Sequence, residues 1–192
     1  MIAGHFGFAA LVKSRERETP LWALMLATQW LDVVFVPLFL LGVERIDPVP
    51  GASGYGAGII YADYTHSLLG AAVLAAALGA VCGLRYGRRG GIVLSAVALS
   101  HWVLDLIVHR ADLPLLPGNA GGLPRLGFGL WRAPFVAAVA ELVLVVVGSW
   151  AYSHAASQVA REGGVPQKRA SAAFAVVLFS GLLTLALNVA GY

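Results

Sequence analysis

The length of its apolar runs constrains this chain more than any other feature. Five stretches, roughly residues 21–43, 58–84, 91–109, 134–152 and 170–190, each approach the ~20 residues that a helix needs to cross ~30 Å of hydrocarbon. Within hydrocarbon a backbone must satisfy its own hydrogen bonds, so these runs predict α-helices. The strict alternation of a membrane β-barrel is absent. Composition agrees: 59% of the 192 residues are hydrophobic and 12% are charged, against roughly 25% charged in soluble domains. A soluble enzyme, a disordered tail and a disulfide-stapled secreted scaffold are excluded as readings. The single cysteine, Cys82, allows neither an intrachain disulfide nor a cysteine zinc cluster.

The expected architecture is therefore an all-α polytopic transmembrane bundle of five spans, forming one domain over residues 1–192. Residues 1–12 are apolar but too short to span, and with no basic start or small-residue cleavage site they read as a half-inserted or bundle-buried helix, not a cleaved leader. Lys13, Arg15, Arg17, Arg85, Arg88, Arg89, Arg161, Lys168 and Arg169 fall in alternate loops, against Arg45, Arg110, Arg125 and Arg132 in the others. Nine cations against four predict that the first set faces the cytoplasm. Scattered this way they make no nucleic-acid patch, and the expected partner is the lipid bilayer. The proline- and glycine-rich segment 110–133 cannot form a regular helix, and it reads either as a lid over the bundle or as a plain connector.

Chemistry is sought where the composition rule is broken. His5, Asp32, Asp63, His66, His101, Asp105 and Glu141 all fall within apolar segments. Each ionisable group at the bilayer centre costs about 2.5–3.5 kcal/mol on insertion scales, so these side chains must satisfy one another, bind an ion or meet water. Counted at 1.5 Å per residue, they lie between the midplane and the outer leaflet and predict one cluster. His101 and Asp105 are four residues apart on one helix face, and Asp63 and His66 are three apart on another. Imidazole and carboxylate donors without cysteine suit a divalent metal, zinc first and manganese or iron as the other candidates. The rival readings are a proton or ion path and a purely structural polar network. Thr65, Ser67 and Ser100 flank the histidines and can orient them. His109 and Asp112 continue the His101 face to the membrane edge, where a solvated reading is preferred, and His154 reads as surface.

Gly4-His5, Leu31-Asp32, Thr65-His66-Ser67, Ser100-His101-Trp102-Val103-Leu104-Asp105 and Leu113-Pro114-Leu115-Leu116-Pro117 occur in that order. Over about residues 1–117 this resembles the LexA-regulated, membrane-bound metal-dependent hydrolase family of bacteria. The resemblance implies a bacterial inner-membrane protein with metal ligands among His5, Asp32, His66, His101 and Asp105, and a hydrolytic activity. Two departures bear on it. Leu31-Asp32-Val33-Val34 stands where the family tends to have Pro-Asp-x-Asp, and Tyr61-Ala62-Asp63 where it has His-Arg-Gly; both argue against a two-metal site. The expected function is hydrolysis of a lipid-linked or amphiphilic ester or phosphate, with Asp63 or Glu141 accepting a proton from water. A proton- or ion-conducting transporter, or an accessory subunit of a membrane complex, is the alternative use of the same cluster.

Overall fold

The computed structural model describes residues 1–51 and 55–190. Its main elements are α1 (Ile2–Lys13), α2 (Leu21–Thr28), α3 (Trp30–Leu40), β1 (Arg45–Pro48), β2 (Gly58–Tyr61), α4 (Leu68–Val108), α5 (Pro134–Glu162) and α6 (Gln167–Ala190). Three helices, α4, α5 and α6, are long and apolar enough to cross a membrane, and α2 with α3 would make a fourth span bent by 48°. Burial is inverted relative to a soluble bundle. Leu84 is 91% exposed and Phe179 67%, whereas His5 and Glu141 are fully buried. Such an exterior is stable only against lipid, and such an interior only if its polar groups meet one another.

The first third of the expected 58–84 span is not helical. Residues 58–61 form β2, antiparallel to β1 in the register Arg45↔Tyr61, Ile46↔Ile60, Asp47↔Ile59 and Pro48↔Gly58. Hydropathy cannot separate a short strand from a helical turn; the β-branched Ile59-Ile60 pair favours the strand. The helix starts only at Leu68, where Ser67 Oγ accepts from Gly70 N at 3.0 Å.

Expected spans 58–84 and 91–109 meet in α4, a run of 41 residues, which would be about 60 Å long if straight. It is not straight, because Gly87 leaves helical geometry at φ 71°, ψ 172°. The residue tolerates this because it lacks a Cβ. The two arms fold back on each other: a Cβ placed on Gly79 would lie 2.8 Å from Gly91 O and 2.7 Å from Ser95 Cβ.

α1 docks on α5, with further contacts to α2 and α6. The contact needs glycines on both sides. A Cβ on Gly7 would sit 2.5 Å from the Leu144 backbone, and one on Gly148 would sit 1.9 Å from Gly7 O. Segment 110–133 folds back over the His109 end of α4. Leu68 N and Leu69 N donate to Pro114 O and Leu115 O at 3.0 and 3.1 Å, Gly129 N donates to His109 O at 2.7 Å, and Leu113 bridges Leu126.

Candidate metal centre

Four segments deliver one polar cluster. His5 comes from α1, Asp32 from the first turn of α3, and His66 from the turn before α4. His101 and Asp105 lie one turn apart on the second arm of α4, and His109 ends that arm. Asp105 is the hub. Its Oδ1 lies 3.2 Å from His5 Nε2, and its Oδ2 lies 3.0, 3.6 and 3.7 Å from the Nε2 atoms of His101, His109 and His66. Asp32 Oδ1 lies 3.4 Å from His66 Nε2 and 3.7 Å from His101 Nε2. His5 also stacks on the His101 ring at 4.0 Å between centroids.

The opposite edge of each ring fixes where its proton sits. The bend between α2 and α3 presents the Thr28 carbonyl to His101 Nδ1 at 2.5 Å. A carbonyl only accepts, so Nδ1 carries a proton, and in the neutral ring Nε2 is the nitrogen that offers a lone pair. For His66 the determinant is a relay. Glu44 is buried, accepts from Tyr64 N and Thr65 N at 2.9 and 2.8 Å, and receives the Thr65 hydroxyl proton at 2.9 Å. Thr65 Oγ1 is then left to accept from His66 Nδ1, 2.9 Å away. His109 Nδ1 faces Asp112 Oδ1 at 2.9 Å, and Asp112 Oδ2 accepts from Ile60 N at 3.1 Å. Three histidines thus have Nδ1 held by an acceptor and Nε2 turned inward, the arrangement in which outer groups orient metal-binding imidazoles.

That arrangement leaves a deficit. His66 Nε2 and His101 Nε2 are 3.2 Å apart; with neutral rings protonated at Nδ1, two lone pairs face each other beside two carboxylates. A cation between them removes the repulsion. The atoms Asp32 Oδ1, His66 Nε2, His101 Nε2 and Asp105 Oδ2 define a four-cornered figure whose five measured edges run from 3.0 to 3.7 Å. Imidazole and carboxylate donors gathered at this spacing could hold a divalent ion. Two overlapping triads, His5–His101–Asp105 and Asp32–His66–His101, each bring one ligand atom per residue within 4.8 Å of the others.

All five expected ligands, His5, Asp32, His66, His101 and Asp105, come together. Asp63 and Glu141 are engaged elsewhere. Asp63 takes both Arg125 Nη atoms, at 2.6 and 2.9 Å, which ties segment 110–133 to the end of β2. Glu141 accepts from Gly4 N at 2.9 Å and from the Tyr55 hydroxyl, capping the first turn of α1, which has no side-chain cap of its own. Burial first, and the Glu141 carboxylate second, raise the Tyr55 pKa above its usual range, so the phenol remains a donor. Glu141 thereby positions the helix that carries His5. Of the flanking hydroxyls, Thr65 orients a histidine, whereas Ser67 caps α4 and Ser100 bonds Val97 O at 2.6 Å.

The expectation of a solvated His109 and Asp112 is corrected: both are buried, at 2% and 3% exposure, under the returning 110–133 segment. Glu44 had no sequence signal beyond being an isolated acid after an apolar run. A cavity of about 340 Å³ borders the cluster, with Asp32, His66, Asp105 and His109 on one side and apolar groups including Phe35 and Trp131 on the other. The Asp32 side chain is 37% exposed, whereas those of His5, His66, His101, Asp105 and His109 are at most 4% exposed. No family model, curated protein or solved structure matches the chain.

Proposed function

We propose that the chain is a membrane-embedded, metal-dependent hydrolase of the kind the family resemblance implies, acting on a lipid-linked or amphiphilic ester or phosphate in a bacterial inner membrane. The observation that carries this reading is the pair of inward-facing Nε2 atoms of His66 and His101, 3.2 Å apart and flanked by Asp32 and Asp105. In this reading the chain crosses the bilayer five times: once through α2–α3, twice through the arms of α4, and once each through α5 and α6.

His66, His101 and Asp105 would hold the ion, zinc first, leaving a position for water, with Asp32 beside it and His5 and His109 at Asp105's remaining approaches. A bound divalent ion would supply Lewis acidity and a water that ionises near neutral pH. The protein's own groups do the rest. Thr28 O, the Glu44–Thr65 pair and Asp112 keep the imidazoles in one tautomer and orientation. Asp32 borders the cavity and is the exposed carboxylate of the cluster, so it is the group best placed to exchange a proton with water or substrate. This role was expected of Asp63 or Glu141, which the Arg125 pair and the α1 cap engage. The cavity's polar and apolar walls suit an amphiphile whose reacting group reaches the cluster while its chain stays in apolar surroundings.

The test is metal content by mass spectrometry on detergent-purified protein, beside His101→Ala and Asp105→Ala. About one zinc, manganese or iron per chain, lost in both variants while they remain folded, is the expected result. Less than about a tenth of an ion per chain after metal-supplemented growth overturns the reading. The second reading, a proton path, draws on the same 3.2 Å contact, which also suits a proton shared between two nitrogens. It predicts proton flux in liposomes by protein that never holds stoichiometric metal.

A further inference from the structure

A second cavity, of about 280 Å³, opens where the C-terminal end of α1 meets the C-terminal part of α5 and the start of α6. It lies away from the metal centre: Lys13 is eight residues beyond His5 on α1, about 12 Å along the axis. Lys13, Arg17 and Arg169 line it, no carboxylate among the described residues does, and Ala156, Val159 and Val165 contribute to its apolar wall.

The cations are disposed to receive an anion. Lys13 Nζ donates to Arg17 O at 2.9 Å and Thr19 O at 2.8 Å, which fixes the ammonium and leaves its third proton free. Arg17 Nη1 meets Glu162 at 2.9 Å across an exposed pair, 57% and 61% open, which holds the guanidinium only weakly. Arg169 makes no side-chain hydrogen bond among the described residues. The depth is marked independently. Trp150, 61% exposed on α5 two residues before the cavity-lining Tyr152, meets His154 edge to face at 4.7 Å between ring centroids. Exposed tryptophans belong at the level of the lipid headgroups.

We infer that this cavity binds the phosphate headgroup of an anionic phospholipid, with Lys13, Arg17 and Arg169 around the phosphate and the apolar wall against the glycerol end of the acyl chains. Three lining cations, of which Arg17 alone has a carboxylate partner in Glu162, select the charge, and the tryptophan-level depth selects a lipid over a soluble anion.

The test is native mass spectrometry of the detergent-solubilised full chain, titrated with phosphatidylglycerol and with phosphatidylcholine of identical acyl chains. Phosphatidylglycerol should bind at least about fivefold more tightly. Arg169→Gln should abolish most of that preference while leaving the thermal transition in place. Arg17→Gln, which spares the Lys13 anchor, should do the same, and Arg88→Gln, outside the cavity, should not. Equal binding of the two lipids overturns the inference. So does an unchanged preference in both cavity variants, or an equal loss in Arg88→Gln, which would mean charge adsorption over the whole basic end. Displacement of the lipid by millimolar inorganic phosphate also overturns it, in favour of a free-phosphate site.

Discussion

A histidine's usefulness at a metal centre depends on what holds its other nitrogen, and here the holder of His66 is indirect. Thr65 relays the acceptor capacity of Glu44 to His66 Nδ1. Thr65→Val keeps the shape and removes the relay. On the proposed metal-binding reading it should weaken binding of added zinc about 10–100-fold, read by titration against a competing chelator, with the protein still folded. An unchanged affinity would mean that the ring is held by packing and by Trp102 Nε1, which donates to His66 O at 2.8 Å. Asp112→Asn tests the same logic at His109: a smaller loss is expected, because His109 approaches the cluster only through Asp105, at 3.6 Å. Residue spacing made His101 and Asp105 legible, since four residues on a helix fix a shared face whatever the rest of the fold does. It could not reveal Glu44. That acid reaches Thr65 only because β1 pairs with β2 in the register Arg45↔Tyr61, a contact between a segment that reads as a loop and one whose apolar run reads as helix. His109 and Asp112 lay on the expected face, but their burial comes from segment 110–133 doubling back, which no local pattern encodes.

At the scale of elements, the cluster depends on how closely two helices approach. α1 carries His5, and its distance from α5 is set by Gly7 and Gly148, where an added Cβ would fall 2.5 Å or less from the opposing backbone. Gly148→Ala should therefore displace α1, costing about 1–3 kcal/mol of stability and lowering metal occupancy together with it. Gly83→Ala is the control: the nearest foreign atom to its new Cβ is Gly91 Cα at 3.9 Å, an ordinary contact. Thermal unfolding and metal content on both variants check this, and equal behaviour of the two would show that the α1–α5 approach has slack. The small residues were visible in the sequence, but which of them oppose backbone was not. The Ala/Gly-rich stretch around Gly79 packs one arm of α4 on the other, while Gly7 and Gly148 are 141 residues apart and meet only in the assembled bundle. The five apolar runs likewise announced helices without announcing the bend at Gln29, and that bend presents Thr28 O to His101.

Over the whole molecule the titratable groups divide between two ends, and the end remote from the metal centre has its own fastening. Glu16 Oε1 accepts from Glu18 N and Thr19 N at 3.0 and 3.3 Å, and its Oε2 meets Arg89, beside the Gly87 turn of α4, at 3.1 Å. One carboxylate thus joins the exit of α1 to the fold-back of α4. Burial pushes its pKa up, but the Thr19 and Glu18 amides and the Arg89 guanidinium outweigh this and hold it below the usual glutamate value. A carboxylate with a folded pKa below its unfolded one stabilises the folded state fully above the unfolded value, about 4.3, and loses that contribution as pH falls through the folded value. Other acids also titrate in that window, so the informative quantity is the difference between wild type and Glu16→Gln. Wild type should be the more stable by a constant margin from pH 7 down to about pH 5, and the margin should shrink towards zero below about pH 4. Melting temperatures of both proteins in the same detergent, measured across that range, check it. A margin that stayed constant into strong acid would mean that the glutamate's shape, not its charge, closes this end of the bundle. Because Lys13, hydrogen-bonded to Arg17 O and Thr19 O, sits in the same turn, lost phosphatidylglycerol preference over the same interval would tie the lipid cavity to this fastening.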